Sequence, residues 1–147
     1  MKKTKVAAKI VLFIIYILAL AYLLFAAESF GRTGGYAGVN LIPFSEIHRY
    51  LTNIHTIGLM RVAINVLGNV VLFVPFGYAL PSLFGAGRRR PVLYVFLCML
   101  FSIMIELMQF VTNTGCCDVD DVLLNTLGGL CGYLVYAFLH KKGKRKR

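Results

Sequence analysis

Acidic side chains are scarce in this sequence: six Asp and Glu stand against sixteen Lys and Arg in 147 residues. No internal repeat, low-complexity linker or change of composition marks a second domain, so residues 1–147 read as one domain. There is no HExxH pair and no nucleophile elbow, which removes two familiar hydrolase signatures. The four Cys show no metal-ligand spacing, which removes a zinc framework. Without a repeat, the chain also lacks the architecture on which many secondary transporters are built.

Apolar residues are abundant instead. The chain is 59% hydrophobic and 15% charged, with a mean hydropathy of +0.74. A soluble domain of this size could not cover so much apolar surface, so the composition defines an all-α integral membrane protein. Four runs are long enough to cross a core of roughly 30 Å at about 1.5 Å per residue. They are approximately Val6–Ala27, Met60–Phe84, Val92–Val111 and Val122–His140.

The net charge of +10 is distributed rather than uniform. Thirteen of the sixteen Lys and Arg fall in three clusters: Lys2, Lys3, Lys5 and Lys9; Arg88, Arg89 and Arg90; and the tail from Lys141 to Arg147. All three lie on one side of a four-span model, which the positive-inside rule makes cytoplasmic, with both termini. They read as topology signals that touch anionic lipid, not as a nucleic-acid surface. A cleaved signal peptide is the alternative for the first run, but the run exceeds the usual apolar length and Phe25-Ala26-Ala27 is a poor cleavage site.

The connections on the other side carry more chemistry. The first extracellular loop, from about Glu28 to Leu59, opens Gly-rich and should be irregular. Further on, Ile47, Tyr50, Leu51 and Ile54 recur at helical spacing, so a short amphipathic helix is expected on the outer membrane surface, with Ser45 as its N-cap. Adjacent Cys116 and Cys117 admit either a strained vicinal disulfide or two free thiols.

Four of the six carboxylates lie between Glu106 and Gly129. Glu106 sits about five residues, or roughly 7–8 Å, below the outer end of the third span. Gln109 and Asn113 share its face. Asn65 and Asn69 share a face of the second span, above Pro75, which removes a backbone donor and is expected to kink the helix. Asp118, Asp120 and Asp121 open the fourth span, where at least one is expected to cap the helix. Asn125 lies a turn below, and Gly128 and Gly132 form a GxxxG pattern for close approach. Asn65, Asn69, Glu106, Gln109, Asp118, Asp121 and Asn125 together predict a polar pocket opening to the outer leaflet. A buried carboxylate needs a partner, and Arg32, Arg49 and Arg61 are the candidate cations for Glu106.

The ordered motifs Asn40-Leu-Ile-Pro43-Phe44, Asn69-Val-Val-Leu-Phe73-Val-Pro75-Phe-Gly77, Glu106-Leu-Met-Gln109 and Asp118-Val-Asp-Asp121-Val-Leu-Leu-Asn125-Thr-Leu-Gly128-Gly129 resemble the VanZ-like family. That family's namesake is a teicoplanin-resistance determinant. The family's polar positions match Asn69, Glu106, Gln109, Asp118, Asp121 and Asn125; Asn65 and the Cys116-Cys117 pair are less typical of it. The resemblance implies a multi-pass envelope protein of a Gram-positive bacterium that lowers susceptibility to lipoglycopeptides. Teicoplanin carries an acyl chain that anchors it in the outer leaflet, where the polar pocket is expected.

Three function classes are compatible with these residues. The first is a non-enzymatic protein, without cofactor, that binds an amphiphile, either an envelope lipid or the antibiotic, among membrane lipids. The second is a membrane-embedded enzyme with Glu106 as general base and Asp118, Asp120 and Asp121 as metal ligands. The third is a small proton-coupled transporter, which would need an oligomer. The missing enzyme signatures favour the first.

Overall fold

The computed structural model describes residues 2–25, 38–84 and 90–140. The Gly-rich start of the first long loop with Arg32, the turn ahead of Arg90 and the basic tail lie outside these residues. Among the described residues the elements run α1 (Lys2–Phe25), β1 (Val39–Asn40), α2 (Ser45–Thr52), α3 (Ile54–Ile57), α4 (Leu59–Phe84), α5 (Pro91–Val111), β2 (Cys117–Asp118) and α6 (Val119–Leu139). The helices α1, α4, α5 and α6 are each long and apolar enough to cross a membrane.

Glycine sets how closely α4 and α6 approach. A Cβ on Gly128 would stand 2.1 Å from the carbonyl oxygen of Val70, and one on Gly132 would stand 1.9 Å from that of Val74. On the α4 side, a Cβ on Gly77 would meet the Gly129 carbonyl oxygen at 1.9 Å. The two backbones therefore touch along a seam that no larger residue fits, as the GxxxG spacing anticipates. α5 closes on the same seam, with Cys98 packed against Gly129.

Aromatic side chains fill the rest. Phe76 stacks on Phe101 at 4.3 Å between ring centres, and Tyr94 packs on Tyr133 at 5.9 Å. α1 joins through Leu20 and Leu24, which are buried with Phe73 and Ile105. α4 remains one helix through Pro75 and Pro81. Near the first proline, Tyr16 of α1 donates its hydroxyl to the carbonyl of Leu72 at 2.6 Å. This bond ties α1 to α4 within one turn of the proline.

Helix ends organise the functional region. α5 stops in a Schellman arrangement: Asn113 adopts φ 54°, its N–H bonds Phe110 O, and Thr114 N–H bonds Gln109 O. Asn113 therefore leaves the helix and does not continue the face of Glu106 and Gln109, contrary to the simple extension of that stripe. The chain then pairs β2 with β1 in parallel, Val39 opposite Cys117 and Asn40 opposite Asp118. α6 starts at Val119, earlier than the apolar run suggests, because Asp118 serves as N-cap and accepts from Asp120 N at 2.8 Å.

Candidate functional site

The site grows from the backbone conformation of Phe44. Its φ of 67° and ψ of 3° are left-handed, an uncommon state for a bulky residue, and the helical residues of α2 follow at once. Such a left-then-right sequence turns successive N–H groups toward one point and makes an anion-binding concavity. Asp120 fills it. Its carboxylate accepts from Phe44 N at 2.5 Å, Glu46 N at 2.8 Å and Ile47 N at 3.1 Å. Ser45 is therefore not the N-cap expected from its local sequence; its hydroxyl instead donates to Asn40 Oδ1 at 2.9 Å. The carboxylate from α6 outcompetes it because it carries full charge and reaches three donors at once.

Asn40 is the second anchor. It accepts from Ile42 N and Ser45 Oγ and donates its Nδ2 to Asp118 Oδ1 at 3.1 Å. Beneath it, Asp118 N donates to Glu106 Oε2 at 3.1 Å. Glu106, Gln109, Asp120 and Asn125 are each no more than 2% exposed, so the cluster lies within the protein. Asn69 Nδ2 donates to Asp121 Oδ1, joining α4 to α6. Deeper still, Asn125 Nδ2 donates to Ser102 Oγ at 2.8 Å, joining α6 to α5, while Asn125 Oδ1 is buried without a hydrogen-bond partner.

The structure thus brings Asn69, Glu106, Asp118, Asp121 and Asn125 to one end of the bundle, where α2 also sits. Gln109 is at the same level but turns to α1, donating to Leu24 O at 3.0 Å. Asn65 bonds its own helix, at Arg61 O. Of the candidate cations, Arg49 forms an exposed pair with Glu46 at its own surface. Arg61 is exposed, and Arg32 is outside the described residues. Asn40 and Ser102 are additions that sequence reading did not place in the site, and Asp120, read there as a cap or metal ligand, instead holds α2. Ser102 has a local signal, since it stands four residues before Glu106 on the same helical face.

Burial dominates the electrostatics. It pushes the Asp118 carboxyl above its ordinary range, against the opposing hydrogen bonds from Asp120 N and Asn40. Burial also raises both the Cys116 and Cys117 thiols, with nearby carboxylates adding to the effect. Both are free cysteines, and Cys116 is exposed. Among the described residues, no group of three or more His, Cys, Asp or Glu is arranged to hold a metal ion. The three aspartates have separate partners: Asp118 meets Asn40 and Asp120 N, Asp120 meets α2, and Asp121 meets Asn69.

A small bundle of membrane-length helices, with an amphipathic helix latched by a carboxylate over a buried acidic and amide cluster, is the class that fold and site define. Residues 13–140 match the model of the VanZ/LLP1 family, and the chain belongs to that family. It is similar to Protein VanZ of Enterococcus faecium, 33% identical over 82 residues, which is 56% of this chain and 50% of that protein. The chain therefore spans about half the length of the curated relative it matches. No solved structure matches it.

Proposed function

We propose that this protein is a multi-pass protein of the bacterial cell membrane that lowers susceptibility to teicoplanin-type lipoglycopeptides. In this reading both termini are cytoplasmic, the α2 end faces outward, and the buried cluster receives the polar part of an amphiphile anchored in the outer leaflet. The charge asymmetry supports the orientation: Lys9 and Arg90 belong to one end, whereas Glu46, Glu106, Asp118, Asp120 and Asp121 belong to the other. Family membership supports the link to teicoplanin.

One observation carries the site assignment. α2, with the preceding Asn40–Phe44 segment, is fastened over the polar cluster by Asp120, and this covering exposes Leu41, Ile42 and Phe44. Those residues suit the headgroup layer, where an amphipathic segment lies in the plane of the membrane. The helix is then a lid between the cluster and an outer-leaflet amphiphile. Asn125 Oδ1 supplies an open acceptor beneath it.

The test compares an expression strain with its empty-vector control against teicoplanin and vancomycin. The inhibitory concentration of teicoplanin should rise several-fold while that of vancomycin is unchanged, and Glu106→Gln or Asn125→Ala should remove the rise at normal membrane levels. Equal teicoplanin susceptibility with and without the protein refutes the antibiotic role. Well-expressed variants with full resistance refute the site.

A further inference from the structure

The opposite, basic end of the bundle holds a cleft that takes no part in the acidic cluster. It occupies about 380 Å³ between α1 and α4, with His140 beside it just beyond α6. The cleft is graded along its length. Lys9, Ser82 and His140 line the part nearest the ends of the helices, while Phe13, Pro75 and Ala79 are among the apolar residues deeper in. From Lys9 to Tyr16, at the deep end, the helical rise gives about 10 Å.

The polar end is cationic. Lys9 Nζ donates to Ser82 Oγ at 2.9 Å, a neutral acceptor that leaves the ammonium charge uncompensated by that bond. His140 places Nδ1 2.9 Å from Tyr136 O and stacks its ring on Tyr136 at 4.1 Å. A carbonyl only accepts, so Nδ1 carries the proton and Nε2 is left as an acceptor, suited to a hydroxyl and not to a phosphate oxygen. No acidic side chain lines the cleft among the described residues. The sequence after His140 continues with six Lys and Arg in seven residues.

We propose that this cleft binds an anionic glycerophospholipid, its phosphate held by Lys9 and Ser82, a hydroxyl of its headgroup donating to His140 Nε2, and an acyl chain lying between α1 and α4 along Phe13 and Pro75. The charge selects this occupant. Every described acidic side chain is at the other end of the bundle, so a second copy in the same orientation brings no carboxylate to Lys9. A phosphodiester joined to an apolar chain matches both halves of the cleft, and anionic lipid is attracted to basic membrane-proximal residues. The site is independent of the antibiotic reading.

The experiment is native mass spectrometry of the full chain in mild detergent, with phosphatidylglycerol or phosphatidylcholine of identical acyl chains. Wild type should retain phosphatidylglycerol over phosphatidylcholine by about fivefold or more, the effect of one well-placed cation. Lys9→Gln should bring that ratio toward one, and Lys9→Arg should keep it. Ala79→Trp, which fills the apolar half, should lower retention of both lipids. Thermal unfolding confirms that each variant is folded, and His140→Gln replaces Lys9→Gln if the latter is not. Equal retention of the two lipids by wild type, or a preference that folded Lys9→Gln and His140→Gln leave intact, overturns the proposal. So does a lipid-free dimer that Ala79→Trp disperses, because a second copy would then occupy the cleft.

Discussion

Removing the Asp120 carboxylate should free α2 without unfolding the bundle. Asp120 is 1% exposed and holds three backbone donors, on Phe44, Glu46 and Ile47. A hydrogen bond to a charged group contributes about 1.5–3 kcal/mol net, so three at the low end stabilise the docked helix by about 4.5 kcal/mol. Releasing Phe44 from its left-handed conformation returns about 1–2 kcal/mol. The difference, about 3 kcal/mol, corresponds to roughly two orders of magnitude in the opening equilibrium of this segment. Hydrogen exchange read by mass spectrometry on the reconstituted protein should therefore show residues 44–52 of Asp120→Ala exchanging about a hundredfold faster than wild type. The interior of α6, measured in the same run, should be unchanged. Asp120→Asn keeps one acceptor oxygen and should fall between. Exchange within about threefold of wild type at residues 44–52 would show that α2 is held by its apolar contacts and that the latch argument fails.

Three further outcomes follow from the same end of the molecule. Asp118→Ala removes the N-cap of α6 and should destabilise the protein by about 1 kcal/mol in thermal or denaturant unfolding, whereas Asp118→Asn keeps the accepting oxygen and should not. The pH dependence separates charge from capping. Because the native carboxyl titrates above its ordinary value of 3.8, ionised Asp118 destabilises the native state above its native pKa, and that penalty is lost as pH falls through it. Asp118→Asn should accordingly equal or exceed wild type in stability at pH 7, and any advantage should shrink on acidification; an advantage that grows on acidification refutes the assignment. For topology, a membrane-impermeant maleimide added to intact cells should label exposed Cys116, and labelling only after lysis would reverse the proposed orientation.

The four long helices were legible because each is an apolar run of membrane length, a property of consecutive residues. Boundaries were less so: α6 begins at Val119 because Asp118 caps it and Asp120 and Asp121 are used by partners elsewhere, which the apolar run cannot register. The identity of the polar residues was also legible, since Asn69, Glu106, Asp118, Asp121 and Asn125 do converge. Their pairing was not. Asp120 meets residues about 75 positions earlier in the chain, and Gln109 meets Leu24 85 positions away. Helical spacing orders side chains on one helix but says nothing about which neighbour they face. Ser45 shows the same limit, because a local capping rule cannot foresee a carboxylate delivered from another helix.

That delivery explains why so few acids are placed together. A carboxylate in an apolar bundle costs several kcal/mol unless its oxygens are occupied. Here they are occupied largely by backbone N–H groups that would themselves be orphaned: those opening α2, the first turn of α6 and the β2 strand. Glu106, Asp118 and Asp120 each therefore satisfy a helix or strand end while that end stabilises the acid, whereas Asp121 meets the amide of Asn69. This mutual dependence ties the position of α2 to the integrity of the cluster beneath it. Under the proposed function, a ligand that competed for Asp118 would also disturb Asn40, which bonds it, so binding and the release of α2 would be one linked equilibrium.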